Sequence, residues 1–376
     1  MPPQDDTPFA AGRGSAIERI ATRIVAVPLE EPIVHPFLGA RTQFATLLVE
    51  VWTADGVKGL GWATFESPRQ LAALAQVVDS MAPQLKGRDA LLRTALHDLM
   101  WNLTVDLLHG GATNLALAAV DIALWDIAGR YAGMPLWKLL GGCRREVPAY
   151  ASWTLWRHQD DAKWAAEAER LAADGWTAMK LRLGGPRSFE QDVARAALVR
   201  RVVGPDVRLM VDALWGLTPF RGVQTARALG ELGYYWLEEP VREGDWQGLA
   251  DARAVHAVPI AAGERISRLQ ALHQLPGRVD HAILDGMHLG GVTPWAKAAA
   301  VMDVADLPVS AHSNPELHAH LLGAVRTGAY VEYMPWWRPL YQDPPQPVNG
   351  VITLGDRPGL GLELDEQAVR RFAVAA

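Results

Sequence analysis

Asp212, Glu238 and Glu264 each close a short apolar run: Leu209-Met210-Val211-Asp212, Tyr235-Trp236-Leu237-Glu238 and Ile260-Ala261-Ala262-Gly263-Glu264. Successive acids are 26 residues apart. That interval fits one strand, one loop and one helix. If each run is a parallel barrel strand, the three acids meet at the C-terminal mouth, where such barrels carry their chemistry. Converging carboxylates repel one another unless a cation lies between them. Oxygen donors of this kind suit Mg2+, with Mn2+ as the alternative ion. A single acid at a strand end is commonplace; three in phase on consecutive strands are not. Glu239 follows Glu238 directly, and the spacing assigns the metal to Glu238. The triad therefore points to a metal-dependent enzyme that handles a small anion.

Other strand ends add titratable groups. Lys180 and Arg182 alternate with Met179, Leu181 and Leu183. Period two puts both cations on one face of a strand that reads as interior. Cations inside a barrel need anions: the metal carboxylates, a substrate, or both. His312 ends Val309-Ser310-Ala311-His312, and Asp285 ends Ala282-Ile283-Leu284-Asp285. On adjacent strands the Asp would engage one imidazole nitrogen, fix the tautomer and raise the pKa, which prepares a general base or acid. Glu332 ends Ala329-Tyr330-Val331-Glu332. It is either a salt-bridge partner of Arg326 or Arg338, or a donor to a substrate oxygen. His288, His318 and His320 fall in helices or loops, where structural roles are expected.

These groups need a scaffold, and the rest of the chain supplies one. Residues 17–29, 44–54 and 59–65 read as strands, with Asp55-Gly56 as a hairpin turn between the last two. Helices follow at 69–84, 89–100 and 113–132. The last is apolar on most sides, reads as buried, and is stopped by Gly133 and Pro135. This first third is an α+β unit. From residue 147, strands at 148–153, 177–183, 207–212, 234–238, 259–264, 281–285, 308–312 and 329–333 alternate with helices at 160–174, 188–202, 220–232, 245–256, 268–275, 293–305 and 315–326. The fold class is α/β, a modified (β/α)7β barrel with an α+β N-terminal capping domain. Prolines after Met334 remove the last helix. A doubly wound sheet would need a glycine-rich phosphate loop near the start, and none is present. The expected division is a disordered leader over 1–15, the cap over 16–146, the barrel over 147–345, and a segment over 346–376 that returns to the cap.

Composition narrows the function classes. The chain has 376 residues, 49% of them hydrophobic, enough for more than one core. A net charge of −6 and the lack of a basic tract argue against nucleic acid. One cysteine, Cys143, excludes an intramolecular disulfide and a cysteine metal site. No apolar stretch reads as a membrane span and the polar, Pro-rich start is unlike a signal peptide, so a cytoplasmic location is expected.

Lys180-Leu181-Arg182, the triad, the Asp285–His312 pair and Glu332 together resemble the enolase superfamily, in its mandelate racemase-like subgroup. The resemblance spans nearly the whole chain. A His at position 312, with no lysine base on the sixth strand, is unlike the muconate cycloisomerase and dipeptide epimerase branches. The resemblance implies Asp212, Glu238 and Glu264 as Mg2+ ligands, Asp285–His312 as a catalytic dyad, and Glu332 as an electrophilic acid. It implies a carboxylate substrate whose α-proton is removed to give an enediolate. It also implies a homo-oligomer, dimer or octamer. Specificity then comes from two mobile cap segments, about 29–42 and 62–68, in which His35, Arg41, Trp62 and Phe65 are the expected substrate contacts.

One position departs from the family's racemases. They carry Lys-x-Lys, and the second lysine is a base; here that position is Arg182. A guanidinium stays protonated and makes a poor base. One-sided proton transfer by His312 favours dehydration of an aldonate or aldarate to a 2-keto-3-deoxy acid. Racemisation of a 2-hydroxy acid is the alternative, and a non-catalytic sugar-acid binding protein is the third reading.

Overall fold

The computed structural model describes residues 14–35, 39–65, 67–185 and 187–374. Strands β1 (Ile17–His35), β2 (Gly39–Thr53) and β3 (Lys58–Phe65) form an antiparallel sheet in that order. Asp55 and Gly56 make the expected turn, with Gly56 at φ 87°. The β1–β2 ladder runs out to His35 opposite Gly39, with irregularities between Ile17 and Arg19 and between Pro28 and Ile33. The segment 29–42, expected as a mobile cap segment, is strand over 29–35 and 39–42, with Ile33, Val34 and His35 paired to Arg41, Ala40 and Gly39. Its residues 36–38 lie outside the described residues, as do leader residues 1–13. Gly14 and Ser15, expected in the disordered leader, are bonded in place: the Ser15 carbonyl accepts from Ala90 N, and Gly14 O from Asp55 N.

Three helices cover the sheet: α1 (Pro68–Leu85), α2 (Arg93–Leu103) and α3 (Gly111–Ala132). Helix α3 is 22 residues long and apolar enough to pass a length-and-hydropathy test for a membrane span, yet 83% of that window is buried within the protein. It also carries Asp121 and Asp126, both fully buried. Asp126 accepts from Leu60 N at 3.0 Å and Leu360 N at 2.8 Å and pairs with Arg130 at 3.1 Å. Gly59 and Gly61 let β3 lie directly on α3.

The barrel follows as β4 (Glu146–Ala151), β5 (Ala178–Arg182), β6 (Arg208–Asp212), β7 (Trp236–Glu238), β8 (Ile260–Ala262), β9 (His281–Leu284), β10 (Val309–Ala311) and β11 (Gly328–Tyr333). Neighbours pair in parallel in sequence order, and β11 pairs β4 to close the ring. Tyr150, Ala178, Met210, Trp236, Ala261, Ile283 and Tyr330 fill the interior as one cluster. With a side-chain period of two, the next inward layer is Ser152, Lys180, Asp212, Glu238, Gly263, Asp285 and Glu332. The chemistry-bearing residues therefore sit one layer above a packed aromatic floor.

One local expectation changes. Residues 268–275 form a 3-10 turn, Leu269–Gln274, rather than an α-helix, because Pro276 ends the segment before it completes a second α-turn. After Met334 a short 3-10 turn, Pro335–Leu340, stands where the eighth helix would be. The tail first forms a hairpin, β12 (Pro347–Val348) and β13 (Val351–Thr353), against β4. It then reaches the cap, where Val374 N donates to Ile24 O.

A Cβ on Gly61 would stand 1.9 Å from Ala119 O and 2.8 Å from Ala123 N, both backbone atoms. Gly61→Ala should therefore destabilise the protein by roughly 3 kcal/mol, the upper end of overpacking costs. Urea unfolding monitored by tryptophan fluorescence measures it; an unchanged midpoint would show that α3 can move away without loss.

Candidate active site

Strands β5, β6 and β7 are in level register, Arg182 opposite Asp212 and Asp212 opposite Glu238. This brings Asp212 and Glu238 to one level, and Lys180, two residues before Arg182 on the same strand face, reaches them with its long side chain. The Lys180 ammonium lies 2.8 Å from Glu238 Oε1, 2.8 Å from Glu332 Oε1 and 3.7 Å from Asp212 Oδ2. All four side chains are buried. Glu238 also accepts from Trp236 Nε1 at 2.9 Å. Burial pushes the Glu238 carboxyl well above its ordinary range; Lys180 opposes this, while Asp212, Glu332 and Glu264 add to it. Glu264, carried just beyond β8, accepts no side-chain hydrogen bond among the described residues; His312 Nε2 is 3.7 Å away. Asp212 Oδ1 accepts from Leu214 N at 2.8 Å, and its other oxygen faces Lys180.

These donors fit a hard divalent cation. They are oxygen-only, crowded enough that Asp212 and Glu264 help raise the Glu238 pKa, and retain lone pairs to which no protein donor is bonded among the described residues. A tighter cluster exists in Asp285, His288 and His312, whose ligand atoms lie within 4.8 Å of one another. Its carboxylate is already engaged, however: Asp285 Oδ1 accepts from Met287 N and His288 N, and Oδ2 faces His312 Nδ1 at 2.6 Å. That cluster is a hydrogen-bonded dyad, and the triad is the better cation site.

Glu239 adopts φ 43°, which turns its side chain away from that of Glu238. It accepts from Gly263 N at 2.9 Å and Trp215 Nε1 at 3.1 Å. Burial, then the charge of Glu264, push it up to about 8.

Arg182 is locked. Nη1 donates to Ser152 O at 2.8 Å, Nη2 to Ser152 Oγ at 2.7 Å, and the guanidinium lies 3.7 Å from the Trp156 ring centroid. Ser152 Oγ in turn donates to Glu332 Oε1 at 2.5 Å. The second Glu332 oxygen accepts from Ser313 N at 2.9 Å. Burial would raise the Glu332 carboxyl, but Lys180, His312 and Arg182 outweigh it and hold it at about 2. Glu332 is thus an ionised acceptor. The expectation that it donates a proton or hydrogen bond to substrate does not fit this arrangement, in which it fixes three cationic or N–H groups. Ser152 carried no sequence signal, because a serine beyond a strand end is ordinary.

The dyad forms across β9 and β10. Burial lowers the affinity of His312 for a proton, but Glu264, Asp285 and Glu332 together carry it to about 10. Asp285 is held well below the usual carboxylate range against its burial by His288 and His312. The free Nε2 faces Glu264 and lies 3.9 Å from Glu332 Oε2. His288, expected to be structural, is at the site: its Nδ1 donates to the Glu264 carbonyl at 2.6 Å and its ring stacks 5.9 Å from that of His312. His318 donates to Ser313 O and accepts from Gly286 N, a structural clamp, and His320 bridges Trp137 N and Leu360 O.

The cap touches this site through rigid elements. Asn114 of α3 donates to Ser267 O at 2.7 Å and His288 O at 2.8 Å, and His97 of α2 to Gly290 O at 3.1 Å. Of the expected substrate contacts, Trp62 is buried and donates to Asn314 Oδ1 at 3.0 Å. Arg41 is half-buried with its guanidinium 5.8 Å from the Phe44 ring; burial and the charge of Arg265 lower it to about 10. The side chains of His35 and Phe65 lie outside the described residues.

Comparison with known proteins agrees with this geometry. Residues 19–141 match the mandelate racemase / muconate lactonizing enzyme N-terminal domain, and residues 163–368 match the enolase C-terminal domain-like family. The chain belongs to the mandelate racemase / muconate lactonizing enzyme family of the enolase superfamily. It is 32% identical over 362 residues to the 3,6-anhydro-alpha-L-galactonate cycloisomerase of Streptomyces coelicolor, covering 95% of this chain and 99% of that protein. It is 28% identical over 375 residues to the L-talarate/galactarate dehydratase of Salmonella typhimurium, covering 97% and 93%. The L-talarate dehydratase of Polaromonas sp. JS666, solved with Mg and L-glucarate, superposes with a TM-score of 0.89 at 29% identity over 96% of this chain and 98% of that one. The family's cofactor is Mg2+.

The raised pKa values of Glu238 and His312 set the pH dependence of metal binding. Both groups hold protons in the metal-free protein at pH values where ordinary Glu and His do not, and a cation among the carboxylates disfavours both protons. Mg2+ binding should therefore release protons at neutral pH, and affinity should fall as pH falls. Calorimetry in two buffers of different ionisation heat measures this. Identical apparent enthalpies in the two buffers would contradict it.

Proposed function

We propose that this chain is a Mg2+-dependent acid-sugar dehydratase, acting on an aldonate or aldarate. The observation that carries the reading is asymmetry across the site: an Asp-oriented His312 on one side, and on the other an Arg182 held by Ser152 and Trp156. Only one side offers a group that can take a proton. Bound by Asp212, Glu238 and Glu264, Mg2+ supplies Lewis-acid stabilisation of the charge that develops on the substrate carboxylate.

The protein groups do the rest. Asp285 holds Nδ1–H of His312, which leaves Nε2 as the base. His312 Nε2 takes the proton α to the carboxylate, and the C–H electrons pass toward the carboxylate as an enediolate. Lys180 stands beside the carboxylate cluster as a fixed cation that opposes this negative charge. Glu332, ionised, keeps Lys180 and Arg182 in place. The imidazolium then returns its proton to the departing β-hydroxyl, the β C–O bond breaks, and water leaves. The enol that remains tautomerises to a 2-keto-3-deoxy acid. On the other side stands Arg182, a guanidinium that stays protonated, which disfavours racemisation.

A second reading is favoured by the cycloisomerase relative covering 99% of its own length. The same elimination with a ring oxygen as leaving group opens an anhydro or lactone ring and loses no water. Proton NMR in D2O with Mg2+, against aldonates, aldarates, anhydro sugar acids and simple 2-hydroxy acids, separates the cases. Dehydration gives 3-deoxy signals and a product lighter by one water in mass spectrometry. Ring opening leaves the product isomeric with its substrate, apart from deuterium taken up. Solvent exchange of the α-proton without any new framework would instead support racemisation.

His312→Asn should reduce kcat by at least about a thousandfold, consistent with loss of a general base, while Mg2+ still binds by calorimetry. Turnover within tenfold of the parent would remove His312 from this role.

A further inference from the structure

Directly after His312 the backbone adopts a left-handed conformation at two consecutive non-glycine residues, Ser313 at φ 48° and Asn314 at φ 42°. Side chains disfavour that region, and such conformations persist only where the surroundings fix them. Within the barrel, Ser313 N donates to Glu332 Oε2 at 2.9 Å, and Ser313 O accepts from His318 Nδ1 at 2.8 Å. The other nitrogen of His318 accepts from Gly286 N at 2.9 Å, next to Asp285. The turn is therefore tied to both partners of the base, Asp285 and Glu332.

The Asn314 carbonyl accepts from Leu317 N and His318 N at the start of the next helix, and the tie to the Asn314 side chain comes from the cap. Trp62 Nε1 donates to Asn314 Oδ1 at 3.0 Å, and Asn314 Nδ2 donates back to Ser313 Oγ at 2.8 Å. Both residues are 1% exposed, so the indole N–H is directed at Asn314 and not at an open cavity. Trp62 is itself held firmly. Its neighbour Gly61 lies against the α3 backbone, and its ring packs edge-on to Tyr341 with centroids 6.2 Å apart.

We propose that Trp62 is a positioning residue for the base: through Asn314 it holds the left-handed turn that keeps His312 on Asp285 and the Ser313 amide on Glu332. The cap then completes the dyad's geometry instead of only covering it. Its kinetic consequence rests on the dehydratase reading; its structural consequence does not.

The test is a double-mutant cycle between Trp62→Phe and Asn314→Gly. Phenylalanine keeps a ring in the core and removes only the donor. Glycine adopts the turn without help from the indole. Trp62→Phe alone should lower kcat about tenfold, the effect of leaving one buried acceptor unpaired, with KM little changed. In the Asn314→Gly background the same change should have no further effect. Independently of turnover, the downfield proton resonance of the His312–Asp285 hydrogen bond should shift or broaden in Trp62→Phe and be unaltered by that change in the glycine background. Equal kcat losses in both backgrounds, a rise in KM with kcat intact, or an unmoved resonance would overturn the proposal. Should no acid be turned over, the dehydratase reading fails and the resonance alone decides this one.

Discussion

Electrostatic crowding at the barrel mouth is the constraint on which the rest of this structure depends. Asp212, Glu238, Glu264, Glu332 and Asp285 lie at one end of one ring of strands, and all are nearly inaccessible to water. Buried carboxylates are tolerable only when paired. Here the pairing is divided. Lys180 and Arg182 neutralise the side around Glu332, while the protonated His312 neutralises Asp285 and faces Glu264. Asp212, Glu238 and Glu264 have only a share of Lys180 and, farther off, His312 to oppose their mutual repulsion, which is the physical content of a cation site.

That division also sets the acid–base chemistry. The charge of Glu264 is the largest influence raising the His312 pKa. A cation on Glu264 cancels it, so the metal site and the base are coupled through one carboxylate. On the proposed mechanism, a base held protonated without metal and released by metal would not remove an α-proton before the Lewis acid is in place. In the proposed reaction, one-sided proton transfer comes from the same network, because Ser152 and Glu332 hold Arg182 in place.

Much of this was legible in the sequence because parallel barrel strands in level register convert a constant repeat into a constant depth. The interval of 26 residues survives as level register between Asp212 and Glu238, whereas Glu264, three residues beyond the Ala261 that faces Glu238, reaches them from the turn after β8. The Asp285–His312 contact survives for the same reason. What the chain did not disclose depends on backbone angles or on packing between distant segments. The left-handed turn at Glu239 separates two neighbouring acids, and no residue type announced it. Ser152 and His288 act through contacts with Glu332 and Glu264 that no spacing rule reaches. The resemblance implies a mobile cap segment over 29–42, yet Ile33 through His35 pair with Gly39 through Arg41. Trp62 reads as a cover for the site, and only the fold shows its indole bonded to Asn314.

The central claim is that the three in-phase carboxylates, and not the neighbouring Asp–His cluster, form the cation site. The most direct measurement is an anomalous difference map from crystals grown with Mn2+. The account expects a single strong peak bounded by Asp212, Glu238 and Glu264, with the His312–Asp285 hydrogen bond intact. A peak bounded by Asp285, His288 and His312, with the carboxylate trio empty, would contradict it.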